Sequence, residues 1–173
     1  MKKMKKKELL QQFNDKSEQD IELLKIYVGD KYDEMINNKF NIWAALLHTL
    51  YFSYRKLYLQ AFIIASATYF LNGILYITML ILIGLLFNKY YIKKSKIEVV
   101  KIKEKYKNKN YEKIKDMCFL KGNGSILSAI LGIIIVLIAS TIFAFIHIIT
   151  EELYVNPPQT TNNIYIEKDY NKL

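Results

Sequence analysis

Residues 57–87 read LYLQAFIIASATYFLNGILYITMLILIGLLF, 31 residues without a charge. As one helix this stretch would be about 46 Å long, against a bilayer hydrocarbon core of about 30 Å. It is either one strongly tilted span or a hairpin of two short ones. Asn72-Gly73 is a strong turn pair near the middle of the run. Ala61, Ala65, Thr68 and Asn72 form one small-residue stripe, and Gly73 and Gly84 form another. On a continuous helix the two stripes are offset by roughly 100°; two separate helices can each turn a small face inward. The hairpin gives spans of about 16 and 18 residues, short enough to require bilayer thinning or snorkelling.

Working outward, charge and apolar residues are segregated. The chain has 173 residues, is 52% hydrophobic and carries a net charge of +9. A second uncharged run lies between Lys121 and Glu151. Both runs exceed the roughly 20 apolar residues that cross a bilayer, so the fold class expected is an all-α integral membrane protein rather than a soluble domain. Ile126–Ile149 is the cleaner span, with Ser125 as a natural N-cap after Gly122-Asn123-Gly124. Ser128, Ala129, Gly132, Val136, Ala139, Ser140 and His147 share one face of it, suited to close helix packing.

Residues 1–39 hold nine Lys against eight acids. Their spacing predicts a helix over Lys7–Val28, stopped by Gly29, and a short helix over Lys31–Asn37. No apolar h-region follows Met1–Lys7, so no cleaved signal is expected. Residues 88–125 carry 12 Lys and four acids, almost the whole charge surplus. By the positive-inside rule this helical loop is cytosolic. It continues the preceding helix and then forms a second one over Tyr111–Leu120. The N-terminus is then cytosolic, and the polar tail 151–173 lies outside.

Phe40–Tyr54 is apolar but short for a span. On a helical wheel Ile42, Trp43, Leu46, Leu47, Leu50, Tyr51, Tyr54, Leu57 and Tyr58 share one half. Asn41, Ala44, Ala45, His48, Thr49, Arg55 and Lys56 share the other. This sorting predicts an amphipathic interfacial or re-entrant helix over Asn41–Tyr54, with its polar half toward water. The architecture expected is therefore this helix, about three transmembrane helices in 40–91 and 126–150, and the basic loop.

Of 25 basic residues, 24 are Lys and one, Arg55, is Arg. So strong a bias toward Lys, with abundant Asn, Ile and Tyr, fits an AT-rich genome and weakens any reading of the charge as a nucleic-acid footprint. One Cys and two His exclude an intrachain disulfide framework and any metal site rich in Cys or His. His48 has no nearby acid in sequence to orient it. His147 and Glu151 stand one turn apart, a spacing that suits a helix-end pair. Lys121-Gly-Asn-Gly-Ser125 lacks the spacing of a phosphate loop. No nucleophile–base pair, carboxylate pair or charge inside a span is visible, so no enzyme activity and no cofactor are expected.

Phe40-Asn41, Ala44-Ala45 and Tyr54-Arg55-Lys56-Leu57-Tyr58 resemble the bacterial family called domain of unknown function 2628. Its members share an F-N-x-x-A segment, a Y-R-K-[ML]-[YF] motif and hydrophobic spans. Asn88, Tyr91, Cys118 and Lys121–Ser125 are similar to later parts of its pattern, although Asn123 and Gly124 depart from the family's K-G-G-T-S. The resemblance implies a small membrane protein and no established activity.

Wheel and resemblance together single out Arg55, Lys56, Asn41, Trp43, Tyr54, Tyr58 and Lys121 as candidate lipid- or partner-binding residues. The function expected is a non-enzymatic adaptor of the cell membrane that binds anionic lipid or a membrane-protein partner. The alternative is an oligomeric pore or transport accessory, assembled through the small faces of 61–72 and 128–140.

Overall fold

The computed structural model describes residues 6–15 and 17–155, so the tail 156–173 lies outside the described residues. These residues form eight helices: α1 Lys6–Gln12, α2 Glu18–Val28, α3 Tyr32–Asn37, α4 Ile42–Tyr54, α5 Tyr58–Thr68, α6 Ile74–Lys105, α7 Tyr111–Gly122 and α8 Ile126–Val155. No strand occurs among them. Two, α6 and α8, are long and apolar enough to cross a membrane. Their apolar surface is mostly uncovered, unlike that of a core helix in a soluble protein.

The molecule has an apolar half and a polar half, and α6 runs through both. Residues 74–87 of α6 are uncharged, and Lys89 opens its lysine-rich part. The first part packs with α4, which in turn carries α5; the second carries α1, α2, α3 and α7.

The 57–87 stretch is a hairpin. It breaks between Thr68 and Ile74, and Gly73 precedes α6 with φ 51°, a left-handed conformation that glycine adopts without a Cβ clash. Gln60 Nε2 donates to Tyr90 OH at 2.8 Å, so α5 and α6 are antiparallel. On the other side, Tyr58 OH donates to Ser128 Oγ at 2.9 Å and Tyr69 bonds Ser140, so α5 and α8 run parallel. Ala61 and Ala65 of α5 and Ser128, Gly132 and Ala139 of α8 are buried within this bundle. The buried part of each small face is therefore used inside one chain, while Asn72 of the 61–72 face stays exposed. His147 lies beyond the contact zone, exposed, with Glu151 Oε1 at 3.7 Å.

Helix α4 is bent back on itself. His48 leaves the helical region (φ 10°, ψ -91°). Asn41 meets α6 at Gly84 and Asn88, His48 meets it at Tyr76, and Phe52 returns to Phe87. The contacts thus run up α6 and then back down. Asn41 Nδ2 also lies 3.5 Å from Tyr51 OH. In a straight helix those backbones would be about 15 Å apart, beyond side-chain reach. The wheel half expected to face water instead faces protein: Asn41, Ala44, Ala45, Thr49 and Arg55 are buried against neighbouring helices. Ile42, Trp43, Leu46 and Leu47 are exposed. The polar stripe is an inner packing face because its side chains are small or find hydrogen-bond partners there.

In the polar half, the helix expected over Lys7–Val28 is two. Ser17 caps α2, accepting from the Asp20 N–H, and Asp20 Oδ2 accepts from the Asn14 N–H. Leu23, Leu24 and Val28 of α2 pack with Val99, Ile102 and Cys118 in one apolar core. Ion pairs Lys96–Asp15, Lys103–Asp20 and Lys115–Glu22 join the acids near the N-terminus to the lysine-rich segments. Asp20 is buried, and the more exposed pairs Lys96–Asp15 and Lys115–Glu22 contribute little each, about 0–1 kcal/mol. Their effect is to set which lysines remain unneutralised.

Candidate functional site

The turn between α4 and α5 is where the two halves join. Its backbone closes α4 in a Schellman motif. The Lys56 N–H donates to Ser53 C=O and the Leu57 N–H to Phe52 C=O, both at 2.8 Å. Lys56 occupies the left-handed position at φ 56°, where glycine is usual. Leu57, almost fully buried, supplies the apolar contact that accompanies the motif.

From this turn four residues, Tyr54, Arg55, Lys56 and Tyr58, reach three other helices. The Tyr54 carbonyl accepts the Ser125 N–H at 3.2 Å, fixing the start of α8. Arg55 Nη1 donates to Val28 C=O at 2.6 Å, at the last residue of α2. Lys56 Nζ donates to Leu120 C=O at 2.7 Å, in the last turn of α7. Tyr58 holds Ser128 of α8. Arg55 and Lys56 thus cap the C-termini of two different helices, the end where unsatisfied carbonyls and the helix dipole favour a cation. Burial pushes the Lys56 ammonium below its ordinary value.

Arg55 is only 4% exposed. Its guanidinium lies over three tyrosine rings, Tyr51 at 5.7 Å and Tyr54 and Tyr91 at 5.4 Å. No carboxylate pairs with it among the described residues, and its Nε has no hydrogen-bond partner. Cation–π attraction, about 2 kcal/mol or more when desolvated, offsets part of the cost of burying the charge. Tyr91 OH donates in turn to Gly122 C=O at 3.3 Å, another carbonyl at the end of α7.

Asn41 forms a second junction. Its Oδ1 accepts the Ala44 N–H at 2.8 Å as an N-cap, and its Nδ2 donates to Asn88 Oδ1 at 2.7 Å. Asn88 Nδ2 donates to Asn38 C=O at 2.9 Å. The pair locks the start of α4 to α6 at the boundary between apolar and polar halves.

Of the residues singled out from sequence, Arg55, Lys56, Tyr54 and Tyr58 come together, and Asn41 adjoins them through Tyr51. Trp43 is 48% exposed on the apolar face of α4, and Lys121 is exposed on α7; neither joins the cluster. The buried Arg55 presents no charge to lipid. Tyr51, Tyr91, Val28, Leu120 and Ser125 complete the cluster; Tyr51 is a helical neighbour of Arg55, whereas Tyr91, Val28, Leu120 and Ser125 could not be tied to this turn from sequence because they are distant along the chain. Among the described residues no three His, Cys, Asp or Glu side chains gather as a metal set. No family model, curated protein or solved structure matches this chain.

Proposed function

We propose that the chain is a multi-pass cell-membrane protein that works as a non-enzymatic adaptor, holding a basic helical layer against the inner leaflet. The observation that carries this reading is the Tyr54–Tyr58 turn. Capping α2 and α7 from the end of the apolar bundle ties the lysine-rich half directly to that bundle instead of leaving it on a flexible linker. In this reading α5, α6 and α8 cross, α4 is re-entrant, the polar half is cytosolic and residues beyond α8 are outside. The lysine surplus of residues 88–125 supports that side. Membership of the domain of unknown function 2628 family is proposed on the Phe40-Asn41 and Tyr54–Tyr58 residues alone.

The test uses full-length protein in nanodiscs of phosphatidylcholine, with or without phosphatidylglycerol. Lysines of α6 and α7 are expected to be shielded from an amine-reactive reagent only with phosphatidylglycerol. Shielding should fade as the Debye length shrinks from about 30 Å at 0.01 M salt to about 3 Å at 1 M. Equal modification in both discs at all salt concentrations would sink the lipid reading.

A further inference from the structure

Two cavities on one side of α6 meet end to end. The first, about 370 Å³, is a slot between α5 and α6 with almost purely apolar walls, among them Ile63, Ile64, Leu82 and Leu86. The second, about 520 Å³, lies between α1 and the lysine-rich part of α6. Five lysines line it, Lys6, Lys7, Lys93, Lys94 and Lys101, against a single acid, Glu98. Glu98 is already paired with Lys101. Gln60 and Tyr90 line both cavities, and their hydrogen bond marks the join.

Along α6 this is one stripe. Met79, Leu82, Leu86, Tyr90, Lys94 and Lys101 follow at helical spacing and turn from apolar to basic at Tyr90. From Met79 to Tyr90 the stripe rises about 16 Å, the depth of one leaflet in a core of about 30 Å. A slot with greasy walls one leaflet deep, opening at headgroup level onto clustered ammonium groups, has the polarity profile of a single anionic phospholipid. A free anion would leave the apolar slot unused, and a zwitterionic lipid would leave the lysines uncompensated.

We infer that this α5–α6 cleft holds one anionic glycerophospholipid of the inner leaflet, an acyl chain lying between Ile63, Ile64 and Leu86 and the phosphate among Lys6, Lys93 and Lys94. The inference rests on the adaptor reading, and gives that reading a defined site.

Native mass spectrometry of the full-length, delipidated protein tests it, with phosphatidylglycerol or phosphatidylcholine as the titrant. One phosphatidylglycerol is expected to bind in preference to phosphatidylcholine, undisplaced by inorganic phosphate. Lys93→Gln with Lys94→Gln should weaken it about 30-fold, equivalent to about 2 kcal/mol at about 1.4 kcal/mol per tenfold. Leu86→Trp, on an exposed face that tolerates the larger ring, should weaken both lipids by filling the slot. Lys107→Gln with Lys109→Gln, outside the cleft, should change nothing. Binding unaffected by both cleft variants, or displaced by inorganic phosphate, would overturn the inference. If that happens while lysine shielding in nanodiscs persists, the cleft alone is refuted; loss of both refutes the adaptor reading as well.

Discussion

Lys56 sits at the left-handed position of its Schellman motif and also reaches across to cap α7. The two roles make opposite demands. Glycine would relieve the backbone, worth about 1 kcal/mol, but has no ammonium. Alanine would lose the cap and keep the strain. Lys56→Ala should therefore unfold at a lower temperature than Lys56→Gly by about 1 kcal/mol of stability, and thermal unfolding of the two variants in one detergent measures the difference. Equal melting would mean the φ of this residue costs nothing. Cys118 gives a second reading of the same core. It is fully buried, and burial raises its thiol to about 11, with Lys121 opposing. A thiol raised above its unfolded value of about 8.5 favours folding below that pH and loses the contribution as pH climbs toward 11. At pH 8 it should react with a thiol reagent only as fast as the polar half opens. Labelling as fast as in denaturant would contradict the packing of α2 on α7. Arg55 shows how far a residue's role was legible. Its isolation among 24 lysines marked it, but the sequence offered no hint that three tyrosines and a helix end would enclose it. Tyr51 and Tyr54 are helical neighbours, but Tyr91 and Val28 lie 36 and 27 residues away, and only tertiary folding brings them in.

Among the elements, those set by local chemistry were read closely. α7 and α8 begin where Tyr111 and Ile126 were expected to begin, and Gly29 ends α2 as a left-handed stop. The α1–α2 break was missed although its signal was present, since Ser17 with Asp20 three residues on is a capping pair. The bend of α4 had no such signal: His48 is an ordinary helix residue, and the reversal follows from docking both ends of α4 against one side of α6. Contact between α2 and α7 depends on the absence of a side chain at Gly122. A Cβ there would collide with the Tyr27 carbonyl and ring. Gly122→Val should cost about 1–3 kcal/mol and speed amide exchange in α2 and α7 while sparing α8. Uniform acceleration across all helices would show that the two halves unfold as one unit.

At the scale of the whole molecule, the apolar helices differ in length. α5 has 11 residues and the uncharged part of α6 has 14, about 16 and 21 Å, whereas the apolar part of α8 runs well past the hairpin. Beyond Phe143, residues such as Phe145 and Ile148 are largely uncovered by the other described residues. In the proposed topology the bilayer must thin around the hairpin or α8 must tilt. The protein should then melt higher in short-chain than in long-chain phosphatidylcholine bilayers. The reverse order would count against α5 as a crossing helix.

The Tyr54–Tyr58 turn also imposes an order on biogenesis. Val28 is synthesised before it, but Tyr91, Leu120 and Ser125 come after, so the turn stays open until the ribosome has passed residue 125. During that interval Arg55 and Lys56 are free charges just ahead of the first apolar run. In the proposed topology they hold the nascent hairpin on the cytosolic side. Once α7 emerges, the same two charges are withdrawn from water and become helix caps. In that topology the pair would act first as a sorting signal during insertion and later as a latch, and a substitution there would alter orientation before it altered stability.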